Sequence, residues 1–260
     1  MSTQLSAGGT EVTVDQENGC RIGSLRIDGT ELLRQGSRYG SFPMVPWCGR
    51  MKDGRFHNGA TLHQMPLDHP PHALHGFGRD ASWRPAGATA TEAAFTYDLA
   101  DPWPVPGRVT QVVTLAEDSL TLSMGVETYG DSFPAQAGWH PWFLRNLGGQ
   151  DVEISFDPAW QEERGADHLP TGNRIDRQAG PWDDCFGMPD GVDVTLTWPG
   201  ALELRITSRS EWVVVYDEQA EAVCVEPQSG PPNGINTAPR LVTPVDPLEV
   251  STTWTWRRLA

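Results

Sequence analysis

The sequence predicts an all-β protein built as a large antiparallel β-sandwich. Three observations lead there. Apolar and polar residues alternate in short runs, as they do in half-buried strands. Gly and Pro number 27 and 22, enough to punctuate a strand every dozen residues or so and to discourage long helices. Apolar spacing at three and four residues, the mark of an amphipathic helix, is nearly absent. No fixed-length repeat suggests a propeller or β-helix, and no low-complexity linker divides the chain. Residues 1–260 are therefore expected to form one domain.

Along the chain, alternating runs occupy 21–27, 92–99 and 108–115. SLTLSMGVET then sets Leu120, Leu122, Met124 and Val126 on one face, against Thr121, Ser123 and Glu127 on the other. A further run covers 152–156. DVTLTWPGALELRIT reads as a hairpin: Val194, Leu196 and Trp198 go out, Pro199-Gly200 turns, and Leu202, Leu204 and Ile206 return. Runs at 212–217 and 248–257 complete the set. Two stretches, 37–91 and 157–191, are too long for hairpin loops and are expected to be functional or irregular.

Composition excludes several classes. The formal net charge of −15 opposes binding to nucleic acid or an anionic membrane, both of which are held mainly through neutralised phosphates. No apolar run approaches the ~20 residues of a spanning helix. The amino terminus, MSTQLSAGGTEV, shows no secretion signal, so a cytoplasmic location is expected. Cys20, Cys48, Cys185 and Cys224 form no CxxC pair and read as buried thiols. Eleven tryptophans fit either sugar stacking or a β-rich core, and composition favours the core.

Five of the seven histidines, His57, His63, His69, His72 and His75, fall in the first long stretch. Pro70 and Pro71 break any helix that would align them, and no HxH or HExxH spacing occurs, so no metal site is expected. LHGFGR reads instead as a turn presenting His75, with Gly76 and Gly78 letting backbone approach a ligand.

His140 stands in AGWHPWFL. In an extended chain it shares a face with Gly138 and Trp142, the glycine leaving room beside it. Pro141 holds it extended. Glu226, at the end of the apolar run AVCVE, is likewise held by Pro227, with Cys224 on its own face. A carboxylate there is costly to bury unless paired or used, and partial burial raises its pKa toward that of a general base. A core histidine and an exposed strand-end glutamate are the competing explanations.

GRMKDGRF (49–56), LHGF followed by Trp83, GWHPWF (138–143), WDDCF (182–186) and CVEPQSGPPNGIN (224–236) occur in that order. Together they resemble the aldose 1-epimerase, or galactose mutarotase-like, family. The resemblance implies a β-supersandwich whose concave face takes a free sugar, with no cofactor. It assigns His140 as general acid, Glu226 as general base and His75 to the sugar near its ring oxygen. It places Arg50 and Asp183 on sugar hydroxyls. Trp47 and Trp142 are added as candidates for stacking on the sugar, from their position alone. The chain departs from the pattern at Gly49, at HGF and at Asn233-Gly234, which bears on which sugar is used. A hexose-6-phosphate 1-epimerase, drawing on Arg50, Arg55, Arg79 and Arg84, and a noncatalytic sugar-binding protein are the alternatives.

Overall fold

The computed structural model describes residues 2–259. Nearly all of the regular structure is β, in two large sheets. The longest path through the twelve-stranded sheet runs Thr3–Ala7, Thr10–Asp15, Arg21–Ile27, Ser41–Met44, Gly138–Pro141, Ala222–Gln228, Trp212–Tyr216, Asp183–Gly187, Trp160–Arg164 and Pro170–Ile175. The eight-stranded sheet runs Arg84–Ala88, Glu92–Leu99, Gly107–Leu115, Ser119–Thr128, Leu248–Arg258, Leu202–Ser208, Val192–Trp198 and Glu153–Ser155. Every pairing between these strands is antiparallel.

The alternating runs behave as their patterns require. In Ser119–Thr128 the buried residues are Leu120, Leu122, Met124 and Val126. The predicted hairpin closes with Trp198 opposite Leu202, Gly200 at φ 68° and the Ala201 amide donating to the Trp198 carbonyl. The last strand, Leu248–Arg258, lies inside its sheet, between Ser119–Thr128 and Leu202–Ser208.

One apolar cluster lies between the sheets. Val213, Val215, Val223 and Val225 of one sheet share it with Val113, Leu122, Leu204 and Ile206 of the other. The Trp139 indole donates to the Gln111 side chain across the gap, and Phe143 packs edge-on to Trp254. Trp47, Trp83, Trp103, Trp139, Trp198 and Trp254 are fully buried. The high tryptophan count is thus chiefly a matter of core packing.

The two long stretches hold more regular structure than their sequences suggest. Residues 37–91 supply Ser41–Met44, the hairpin Arg55–Asn58 with Thr61–Gln64, and the short pair Arg50–Met51 with Ala73–Leu74. Residues 157–191 supply three strands of the twelve-stranded sheet. Alternation hides them for a physical reason. Ser41–Met44 is buried on both faces and Asp183–Gly187 nearly so, hence neither needs a polar side. Among the described residues, no helix is long and apolar enough to cross a membrane.

Candidate functional site

Ala222–Gln228 is buried at every position. Val223 and Val225 face the shared core, which turns Cys224, Glu226 and Gln228 to the opposite side of the sheet. Gly138–Pro141 lies alongside, with Gly138 opposite Gln228, and Ser41–Met44 follows with Phe42 opposite His140. These three strands floor a cavity of about 740 Å³, in the range of small-molecule sites.

On that floor His140 Nε2 lies 3.2 Å from Glu226 Oε1. The side chains are 7% and 3% exposed, respectively. The imidazole is clamped between two rings, with Phe42 at 4.8 Å and Trp142 at 5.0 Å between centroids, both stacked. Burial therefore holds His140 down to a pKa of about 3, with Arg79 adding to the effect. Burial, aided by the Asp183 charge, raises Glu226 well above the usual carboxylate range, with Arg50 opposing. The contact has ion-pair geometry, but desolvation drives each partner toward its neutral form. The pair is best described as an imidazole and a carboxyl group sharing one proton.

His75 stands over this pair, its ring edge-on to His140 at 5.0 Å. It adopts φ 60°, a left-handed conformation, and exchanges contacts with Gly49: its amide donates to the Gly49 carbonyl, and its Nδ1 accepts from the Gly49 amide at 3.2 Å. Accepting at Nδ1 leaves the ring proton on Nε2. Burial keeps His75 well below the usual histidine pKa, and His140 reinforces this. His75 is thus a neutral, oriented donor.

The cavity wall is polar. Asp183 accepts from Arg164 at 3.1 Å, with His168 at 3.4 Å and Arg50 at 3.8 Å. Arg164 also reaches Asp184 at 3.4 Å.

Of the residues singled out from sequence, His140, Glu226, His75, Arg50, Asp183 and Trp142 all line the cavity. Trp47 does not. It is 1% exposed, stacked with Trp103 and edge-on to Phe77 within the main core. Its neighbourhood in sequence to Arg50 misleads because the chain turns at Gly49, where φ is 62°. Trp142 is at the cavity, but it presents a face to His140, so its first task is to hold the imidazole. The glycines also differ from expectation. A Cβ on Gly138 would meet Pro227 O at 2.6 Å, and one on Gly76 would meet Val45 O at 2.1 Å. Both permit close packing of the protein's own backbone rather than space for a ligand.

Sequence reasoning missed Phe42, Arg164 and His168. Phe42 meets His140 through strand register, which no local pattern encodes. Arg164 and His168 fall in the second long stretch, and that excessive length was the one signal pointing to them.

The sequence model of the family described as aldose 1-epimerase matches residues 1–236. The uncharacterized protein YihR of Escherichia coli K12 is 25% identical, over 75% of this chain and 71% of that protein. A crystal structure from E. coli K12, provisionally assigned as an aldose 1-epimerase, superposes with a TM-score of 0.87 at 19% identity, covering 100% of this chain and 99% of that one. The galactose 1-epimerase of Lactobacillus acidophilus NCFM gives 0.84 at 15% identity, covering 100% and 95%. At such identities the structural matches establish the fold.

Proposed function

The chain belongs to the aldose 1-epimerase family, and from that membership we propose that it interconverts the α and β anomers of a free aldose such as galactose or glucose. The observation that carries the reading is the His140–Glu226 contact of 3.2 Å on the floor of a sugar-sized cavity.

Anomer exchange opens a hemiacetal and closes it again. A base takes the proton of the C1 hydroxyl while an acid protonates the ring oxygen and the C1–O5 bond breaks. The aldehyde then turns about C1–C2 and recloses on its other face, with acid and base exchanged. Nothing is oxidised or reduced, and the proton count of sugar plus enzyme is unchanged. The reaction needs one proton and two sites for it, each worth ~10²–10⁴-fold. A carboxyl and an imidazole that share one proton meet this need in both directions. With the proton on His140, Glu226 is the base and His140 the acid. Transfer of that proton across the contact reverses the roles. Bound sugar must replace the direct contact with one hydrogen bond to the ring oxygen and one from the C1 hydroxyl. His75, neutral and protonated at Nε2, is suited to donate to a sugar oxygen without competing for the proton. Arg50 and Asp183 are suited to hydroxyls, as is Arg164.

Four of the five arginines lining the cavity, all but Arg38, are engaged within the protein, which favours a neutral substrate over a 6-phosphate. Arg79 is bonded to Asp68 at 2.6 Å and Asp80 at 3.1 Å. Arg50 and Arg164 meet Asp183. Arg21 spends its guanidinium on the carbonyls of Asn18, Tyr39 and Arg79. Arg55 and Arg84 are engaged away from the cavity, with Gln64 and Asp98.

Polarimetry on freshly dissolved α-D-glucose and α-D-galactose, with their 6-phosphates in parallel, tests the proposal. Faster equilibration of the free sugars is expected. If only the phosphates respond, the substrate assignment is wrong; if nothing outpaces buffer, the epimerase reading fails.

A further inference from the structure

Buried beside the cavity floor is a nucleophilic group for which anomer exchange has no use. Cys224 stands two residues before Glu226 on the same buried strand, turned to the same side. A sulfur from Cys224, a ring nitrogen from His140 and a carboxylate oxygen from Glu226 all lie within 4.8 Å of one another, and all three residues are buried.

We propose that this triad is a binding site for a thiophilic divalent cation of the zinc type, and that an ion held there silences the enzyme.

The donor set is one sulfur, one nitrogen and one oxygen, each of a kind that zinc and cadmium accept. Three protein donors, two of which, His140 and Glu226, line the cavity, leave a fourth position free, the pattern of an accessible site rather than a closed structural one. In a tetrahedral complex with bonds of about 2.0–2.3 Å the donor atoms stand roughly 3.2–3.6 Å apart. The triad must therefore draw in by about an ångström at its widest, from the 4.8 Å bound. The imidazole is fixed by its stack between Phe42 and Trp142. Rotation of the thiol and of the carboxylate is what closes the site. The other thiols lie outside this triad, and Cys20 is engaged by the Gln111 side chain.

Charge strengthens the case. All three donors are buried, where an uncompensated charge is costly. A thiolate, a carboxylate and a neutral imidazole carry two negative charges, and a divalent ion cancels both. Two protons leave as the ion enters, one from the thiol and one that the pair had shared. The ion thus takes the place of the proton that anomer exchange must move. The inhibitory half of the inference rests on the assignment of His140 and Glu226 as acid and base. The binding half does not.

The test is a titration of the reduced, metal-free full chain with cadmium chloride, followed by the thiolate-to-cadmium ultraviolet band. The band is expected to saturate at one equivalent in the wild type and in Cys20→Ser, and to be lost in Cys224→Ser. In polarimetry, one equivalent of cadmium or zinc should abolish the wild-type rate. Cys224→Ser should keep its rate, with inhibition weaker by roughly 10-fold or more. No band at one equivalent, or a full band in Cys224→Ser, overturns the site. A band without inhibition overturns the silencing. Should Cys224→Ser fail to fold, cobalt in the wild type decides: intense tetrahedral bands with thiolate charge transfer support the site, and a weak octahedral spectrum overturns it. A protein that turns over no sugar yet shows the band loses its proposed function and keeps its metal site.

Discussion

Gly138→Ala tests whether the spacing of two strands sets the catalytic geometry. The added Cβ would sit 2.7 Å from Gln228 Cβ and 2.6 Å from Pro227 O, where ordinary contact begins at 3.4 Å. Those atoms belong to the strand that carries Glu226, and they include backbone, which cannot rotate away. The strands must therefore part by about 0.7 Å, close to the overlap with Gln228 Cβ. Carried to the site, that shift lengthens the His140–Glu226 contact from 3.2 Å to about 3.9 Å, beyond hydrogen-bond range. A misplacement approaching 1 Å costs on the order of 10²-fold in rate. The strain should also remove about 1–3 kcal/mol of stability. Gly125→Ala is the control, because a Cβ there meets nothing within 4 Å. Polarimetric rate constants and thermal melts of both variants are the assay. Wild-type rate and melting temperature in Gly138→Ala would refute the spacing argument.

Glu226→Gln and His140→Gln should each lose roughly 10²–10⁴-fold in rate while remaining folded by circular dichroism; near-normal rates in both would move the chemistry elsewhere. The buried histidine also makes stability depend on pH. Its folded pKa of about 3 lies below the ordinary 6.5, so the unfolded chain binds the proton first as acid is added. Its contribution is complete above 6.5 and is lost as pH falls toward 3. Glu226 has the opposite sign, its raised pKa costing stability as pH climbs through it. Urea midpoints across pH should show His140→Gln flattening the acid limb and Glu226→Gln the alkaline one, and unchanged limbs would contradict the burial argument. Trp47→Phe should lower the melting temperature through lost packing and leave KM for sugar unchanged; a raised KM with normal stability would return Trp47 to the site.

The His140–Glu226 pair was legible because its signal is local. Each residue ends or crosses an apolar strand, and each is held extended by the proline after it, so the sequence shows both the unusual placement and the device that maintains it. Alternation likewise exposed many strands with one polar face, although Thr10–Asp15, which alternates as clearly, was not singled out. It could not expose Ser41–Met44, buried on both sides. Nor does a strand's pattern say which of its faces meets the cavity. Trp47, outside any strand, was misjudged because an aromatic residue fits a wall and a core equally well, and Gly138 because the cross-strand Gln228 that fills the space beside it is placed by register. Phe42 reaches His140 only through pairing between segments nearly a hundred positions apart, and register of that kind is a property of the sheet.

The interior position of Leu248–Arg258 bears on how such a chain is made. Until that strand arrives, the eight-stranded sheet is two pieces, one ending at Ser119–Thr128 and the other at Leu202–Ser208. Both present open edges and uncovered apolar faces during synthesis, the condition in which chains associate wrongly. Trp254, which supports Phe143 beneath the catalytic strands, arrives with this strand. The floor of the cavity therefore lacks its backing until residue 254 has been made. Folding of this sheet is expected to be concerted, with chains cut before Leu248 gaining little of the final structure.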